Sequence, residues 1–148
     1  MQLTQFTDFG LRVLMYLTYP DRTELVTITE IAEKFSTPRN HLTKVVNRLV
    51  RLGWVHSTRG RNGGLQLAIT PELLGIGTII EKLESHDEAI NCNKTPCPLL
   101  GNCRLKSMLD QGMQLYFQSM DQYTLADTVT EPSAKVITHL HQLHISTH

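Results

Sequence analysis

From Thr4 to about Tyr19 the apolar residues Phe6, Phe9, Val13, Leu14 and Leu17 recur at three- and four-residue steps, which predicts a helix with one buried face. Tyr19-Pro20-Asp21 ends it. Thr27-Ile28-Thr29-Glu30 reads as a capping box, the threonine hydroxyl accepting from the third helical residue and the glutamate reaching back to the cap, and it opens a short helix to about Phe35. Ser36-Thr37-Pro38 supplies a second cap with proline at the first helical position, for a helix from Pro38 to Leu52 stopped by Gly53. Leu42, Val45, Val46, Leu49 and Val50 form its apolar stripe, while Arg39, Asn40, His41, Lys44, Arg48 and Arg51 project from other faces. Beyond Gly53 the pattern changes period. Trp54–Thr58 and Leu65–Ile69 read as short strands, and Asn62-Gly63 between them predicts a hairpin because both residues tolerate positive φ. Ile76, Ile79, Ile80 and Leu83 predict another short helix, ending near Ser85. The longest periodic run goes from Arg104 to about Val129 and carries Leu105, Met108, Leu109, Gly112, Leu115, Tyr116, Met120 and Tyr123.

Two helices joined by a tight turn, the second basic at its N-terminal end and followed by a hairpin, make a winged helix-turn-helix. The fold class expected is therefore mainly α with a small β-hairpin wing, joined to a long dimerisation helix. The last helix carries more apolar surface than a small winged domain is expected to cover, so it reads as a homodimer interface, with a helix folded back on its own domain as the alternative. Gly112 costs that helix roughly 0.8–1 kcal/mol relative to alanine and is tolerable if it lets a partner helix approach closely. The chain divides into a DNA-binding domain over 1–84, a cysteine loop over 85–103, a dimerisation helix over 104–130 and a flexible tail over 131–148. His139, His141, His144 and His148 in that tail read as solvated.

The charge pattern sharpens the partner. The 148 residues carry no formal net charge, yet the segment 34–71 holds seven Lys or Arg and no Asp or Glu, so it carries +7 and the remainder −7. A basic face of this kind is made to meet a polyanion. Double-stranded DNA is the expected partner, with Thr37, Arg39, Asn40, His41, Lys44 and Arg48 at the recognition helix and Arg59, Arg61 and Asn62 at the wing tip. No apolar run approaches the length needed to cross a bilayer, and Asp8 and Arg12 interrupt the N-terminal segment, so a cytoplasmic protein without membrane contact is expected. No nucleophile, base and orienting group converge in the sequence, which argues against an enzyme.

All three cysteines fall in Cys92-x4-Cys97-x5-Cys103, a stretch that Pro96, Pro98 and Gly101 keep in loop conformation. An odd number of thiols in so tight a group favours metal binding over disulfides in a reducing compartment. Structural zinc draws on ligand pairs separated by a long gap, which this loop lacks, with His86 the nearest fourth ligand. An iron–sulfur cluster tolerates wider loops and uses thiolates. Free thiols are the third alternative. Asp8 and Arg12, four residues apart, read by spacing as an exposed helical ion pair.

Five motifs in order carry a resemblance: Thr7-Asp8-Phe9-Gly10-Leu11-Arg12, Arg39-Asn40-His41-Leu42-Thr43-Lys44, Arg59-Gly60-Arg61-Asn62-Gly63-Gly64, the cysteine spacing, and Tyr123-Thr124-Leu125-Ala126-Asp127. Together, over roughly residues 1 to 130, they resemble the NsrR family of nitric-oxide-sensing iron–sulfur repressors, which shares its winged-helix fold with the IscR regulators. The resemblance implies a homodimeric repressor whose cluster, 4Fe-4S with 2Fe-2S as the alternative, is bound by Cys92, Cys97 and Cys103. In IscR a histidine three residues after the last cysteine completes the site; Lys106 stands there in this chain. The NsrR pattern instead implies Asp8 of the partner subunit as the fourth ligand, with Arg12 beside it. Nitric oxide is then the signal that releases the operator. Two rival readings are a cluster-supply or redox regulator of the same fold and a zinc-stabilised interaction module.

Overall fold

The computed structural model describes residues 2–84, 89–94 and 96–146. The first helix, α1 (Gln5–Leu17), is capped by Thr4, whose hydroxyl accepts from the Thr7 N–H at 3.3 Å. Val13, Leu14 and Tyr16 on its inner face are fully buried. α2 (Ile28–Lys34) starts at Thr27, whose hydroxyl accepts from the Glu30 N–H at 3.1 Å. The reciprocal half of the expected capping box is replaced. The Glu30 carboxylate turns inward, where it accepts from the Tyr16 hydroxyl at 2.6 Å and from the Arg22 guanidinium. Charge-assisted bonds from a guanidinium outweigh one cap N–H, so the acid leaves the helix end.

α3 (Arg39–Arg51) begins one residue later than its sequence suggests, with Pro38 at the cap and no side-chain cap bond. Ser36 cannot serve, because it takes a left-handed φ of 48° to close α2, its N–H bonding to the Glu33 carbonyl at 3.3 Å. The two helices are thereby joined by the tight turn a helix-turn-helix needs. β1 (Val55–Thr58) pairs antiparallel with β2 (Gly64–Leu67), Val55 facing Leu67 and Thr58 facing Gly64. The positive φ of the connection falls on Gly60, at 110°, rather than on Asn62 or Gly63. Five residues bridge the strands, so the turn closes by the Gly63 N–H donating to the Gly60 carbonyl at 3.0 Å instead of by a two-residue Asn-Gly turn. Val26 adds a single bridge to Leu65, with mutual N–H···O bonds of 3.1 and 2.7 Å, which seals the wing against the segment entering α2.

A 3-10 turn at Pro71–Leu73 leads into α4 (Ile76–Glu84), and α5 (Arg104–Met120) packs along it. Gly77 permits the approach, since a Cβ there would strike the Phe117 carbonyl oxygen. The periodic run expected to continue to Val129 stops at Met120. Asp121 turns aside to cap α4, accepting from the Thr78 N–H at 2.7 Å and hydroxyl at 3.0 Å, and the chain is then fastened to the start of α4 by Ile76 N–H to Tyr123 O and Leu125 N–H to Leu74 O bonds of 2.9 and 2.8 Å. Thr124 and Asp127 form a complete capping box that starts a new short helix, α6 (Leu125–Thr128), and Leu125 is fully buried. These contacts satisfy the groups that breaking the helix releases and bury Leu125 as well.

The tail expected to be flexible forms α7 (Ser133–Ile145), which docks on the winged unit through Ile137, 7 % exposed, and His141, 1 % exposed. His141 is therefore a buried residue and not a solvated one. His148, Ser85, His86 and Thr95 lie outside the described residues. The core runs through the inner faces of α1, α3 and α4, with Trp54, Val55 and Leu65 of the wing, Phe117 of α5 and Leu125 of α6 closing its sides. Among the described residues, no helix is long and apolar enough to cross a membrane.

Candidate functional site

Burial of Leu42, Val45, Val46 and Leu49 fixes the rotation of α3 and so decides which residues look outward. Arg39, Asn40, His41 and Lys44 are exposed on it, and Arg59, Arg61 and Asn62 are exposed at the wing tip. All seven are exposed, as residues that meet a polyanion must be. Two others are engaged elsewhere. Thr37 is only 7 % exposed and its hydroxyl donates to the Phe35 carbonyl at 3.1 Å, bracing the turn. Arg48 is half-buried and donates to the Lys82 carbonyl at 3.0 Å, tying α3 to the last turn of α4. Asn40 accepts from the His41 N–H at 3.0 Å within the first turn of α3, and the His41 ring lies 6.4 Å from that of Phe9 on α1.

The cysteine loop follows the C-terminal end of α4 in the chain and stands directly before α5. All three cysteines are unpaired, Cys97 exposed and Cys92 and Cys103 half-buried. They line one cavity of about 300 Å³ together with Lys106 and Asp110. Gly101 turns the chain at a φ of 88°, and the Leu100 N–H donates to the Cys97 carbonyl at 3.1 Å. Cys103 is the N-cap of α5, its sulfur accepting from the Lys106 N–H at 3.4 Å. Among the described residues, no three or more His, Cys, Asp or Glu converge on a single metal-binding point.

Asp110 is a feature of this cavity that the cysteine spacing does not announce. One oxygen accepts from the Lys106 ammonium at 2.6 Å and the other from the Ala89 N–H at 3.0 Å, so it joins α5 to the chain entering the loop. The Lys106 hydrogen bond, then that of Ala89, holds its carboxyl below the ordinary carboxylate value. The spacing of Lys106 and Asp110, four apart on a helix, is the signal for it in the sequence.

Asp8 does not line the cysteine cavity of its own chain. It forms the bidentate ion pair with Arg12 that its spacing predicts, at 2.9 and 2.8 Å, with both side chains nearly half exposed. Close to the start of α1, α5 turns Leu105, Met108 and Leu115 outward at 58–59 % exposure, an apolar face that this chain leaves open. Gly112 on the same helix has nothing within 4 Å of where a Cβ would stand.

Residues 3–131 match a family described as Rrf2, iron-dependent transcriptional regulator. The chain is 42 % identical over 132 residues to the HTH-type transcriptional regulator NsrR of Bacillus licheniformis, a match covering 87 % of this chain and 92 % of that one. Its fold is similar to that of CymR, the global cysteine regulator of B. subtilis, with a TM-score of 0.66 at 22 % identity over 86 % of this chain and 95 % of that one. It is also similar to T. potens IscR, with a TM-score of 0.64 at 23 % identity over 87 % and 86 % of the two chains. The two solved structures share the fold of this chain.

Proposed function

The chain belongs to the Rrf2 family of transcriptional regulators, and from that premise we propose that it is a homodimeric, DNA-binding repressor that holds an iron–sulfur cluster and leaves its operator when nitric oxide reaches that cluster. The observation that carries this reading is the single cavity shared by Cys92, Cys97 and Cys103 immediately before α5. The donor set fits a cluster. Three thiols spread around a cavity, without converging on one point, suit a body of several atoms better than one tetrahedral zinc ion, and a backbone N–H already donates to Cys103 as is usual for cluster sulfurs. Three cysteines of one chain and one carboxylate supply four ligands, the number that 4Fe-4S and 2Fe-2S clusters both take, and 4Fe-4S is the form that the resemblance to NsrR implies.

The fourth ligand in this reading is Asp8 of the partner subunit, with the partner's Arg12 orienting it. When bound, the cluster supplies iron for nitric oxide to act on, and a carboxylate, harder and weaker than a thiolate, leaves the most accessible of those irons. The protein's own part is mechanical. Cys103 is at once a ligand and the cap of α5, so its ligation fixes the start of the helix whose open apolar face forms the dimer contact. α5 packs on α4, and Arg48 joins α4 to α3, so a shift at the loop reaches the recognition helix through two packed elements. Two recognition helices must sit about one DNA turn apart to occupy successive major grooves, and a change in dimer geometry costs that spacing. A coupling on the order of 1–3 kcal/mol between cluster and operator suffices for a switch.

The test is anaerobic purification with an absorption spectrum and iron and sulfide counts, followed by nitric oxide titration and operator binding. Sulfur-to-iron absorbance and loss of DNA affinity on titration are expected. A colourless protein with stoichiometric zinc overturns the cluster reading, and unchanged DNA affinity after the reaction overturns the sensor reading.

A further inference from the structure

α7 lies beyond residues 3–131, the segment that matches the family, yet it is built into the DNA-reading unit. Its His141 ring is inserted between two tyrosines, 3.9 Å and 13° from the ring of Tyr16 and 4.3 Å and 16° from that of Tyr19. At the ring edge, Nε2 lies 2.9 Å from the Tyr16 carbonyl oxygen and Nδ1 lies 3.2 Å from Nη1 of Arg22. A carbonyl only accepts and a guanidinium only donates. Nε2 must therefore carry a hydrogen and Nδ1 must carry a lone pair, which is the neutral ring.

The same Arg22 pairs with Glu30, which is 2 % exposed and also accepts from the Tyr16 hydroxyl. His144, one turn along α7, brings Nε2 to 3.4 Å from the other Glu30 oxygen. One buried network thus joins α1, the α1–α2 connection, α2 and α7. Lower on α7, Val136, Ile137 and Leu140 face Arg12, Met15 and Phe35 across an apolar cavity of about 210 Å³.

We propose that α7 is a proton-sensitive clasp on the helix-turn-helix: neutral His141 holds it closed, and protonation of His141 at Nδ1 loosens it and lowers operator affinity. A proton on Nδ1 would set two donors of like charge against each other at the Arg22 contact. The two tyrosine faces accept a cation, and Glu30 attracts one, whereas Arg22 and His144 repel it. Burial, then the Arg22 charge, nevertheless pushes the His141 value below its ordinary 6.5, against the raising effect of the Tyr16 hydrogen bond. The docked helix accordingly binds fewer protons than the released one. Docking is at full strength above about pH 6.5 and weakens as pH falls below it, by at most about tenfold per pH unit for one proton.

The experiment uses the full-length protein and His141→Gln, whose amide can donate to Tyr16 and accept from Arg22 but does not titrate. Hydrogen exchange over residues 133–145 is read from pH 7.5 to 5.5, with operator affinity measured in parallel. In the wild type, protection and affinity should both fall severalfold; in His141→Gln both should fall distinctly less, any slope common to the two proteins being subtracted. Only the affinity arm rests on the DNA-binding function. Equal loss of protection in the two proteins overturns the clasp, and loss of protection in the wild type without any change in affinity overturns its link to DNA. Should His141→Gln not fold, the wild-type imidazole NMR titration decides instead: a ring that becomes protonated while 133–145 remains protected sinks the proposal.

Discussion

Arg12 grips both carboxylate oxygens of Asp8, Nε reaching Oδ1 at 2.9 Å and Nη2 reaching Oδ2 at 2.8 Å. With both side chains more than two-fifths exposed, the pair is screened and contributes little to stability, on the order of 0.3–0.5 kcal/mol. In the proposed function the pair holds a carboxylate at a defined place on α1. Asp8→Ala is therefore expected to leave the thermal midpoint of the apoprotein within a few degrees of wild type while giving a more labile cluster, and Cys92→Ala should give none. Iron and sulfide counts after anaerobic purification check this, and equal cluster content and nitric oxide response in Asp8→Ala and wild type would remove Asp8 from the site.

Arg59 and Arg61 stand exposed on the wing connection, on either side of Gly60 with its φ of 110°. Each phosphate contact adds about 0.9 to the slope of log affinity against log salt. Arg59→Ala or Arg61→Ala should weaken operator binding and flatten that slope by roughly this amount, read from titrations at several salt concentrations. An unaltered slope would place the wing off the backbone.

The Arg22–Glu30 pair is almost wholly buried. Removing one partner strands the other, so Glu30→Ala should cost about 3–5 kcal/mol in urea denaturation. Burial alone would raise the Glu30 carboxyl, but hydrogen bonds from Arg22 and Tyr16 outweigh it and hold the value below the ordinary 4.5. The unfolded chain then binds the proton more readily. The stabilisation is present above about pH 4.5 and is lost as pH falls through the lower folded value, a loss absent from the Glu30→Ala protein.

Gly112 and Gly77 are glycines with opposite surroundings. At Gly112 a Cβ meets nothing in this chain, so in a lone chain alanine should strengthen α5 by about 0.8–1 kcal/mol. Gly112→Trp should instead drive partner helices apart, seen as a shift to monomer in sedimentation velocity. A wild type that sediments as a monomer, or a Gly112→Trp dimer as tight as wild type, would take the interface elsewhere. At Gly77 a Cβ strikes the Phe117 backbone, and Gly77→Ala should destabilise by about 1–3 kcal/mol through overpacking between α4 and α5.

Local rules reach far in this chain because the winged unit is built from them. The three- and four-residue steps of Phe9, Val13 and Leu17, the Thr27 cap and the change of period after Gly53 each express a preference that the fold keeps, and of the seven unopposed cations of 34–71 the fold leaves Arg39, Lys44, Arg51, Arg59 and Arg61 exposed. Where the fold departs from the local pattern, a distant partner competes with a near one. Glu30 abandons the Thr27 cap for Arg22 and Tyr16; Asp121 abandons the helical run of α5 for Thr78, 43 residues earlier; His141 leaves solvent for a slot 125 residues earlier in the chain. Spacing encodes what neighbours along one helix can do, since three and four residues bring side chains to one face. It does not encode which buried charge or open helix end lies opposite once the chain has folded, and those long-range bonds decide where α5 stops, where the C-terminal helix docks, and that Arg48 ties α3 to α4.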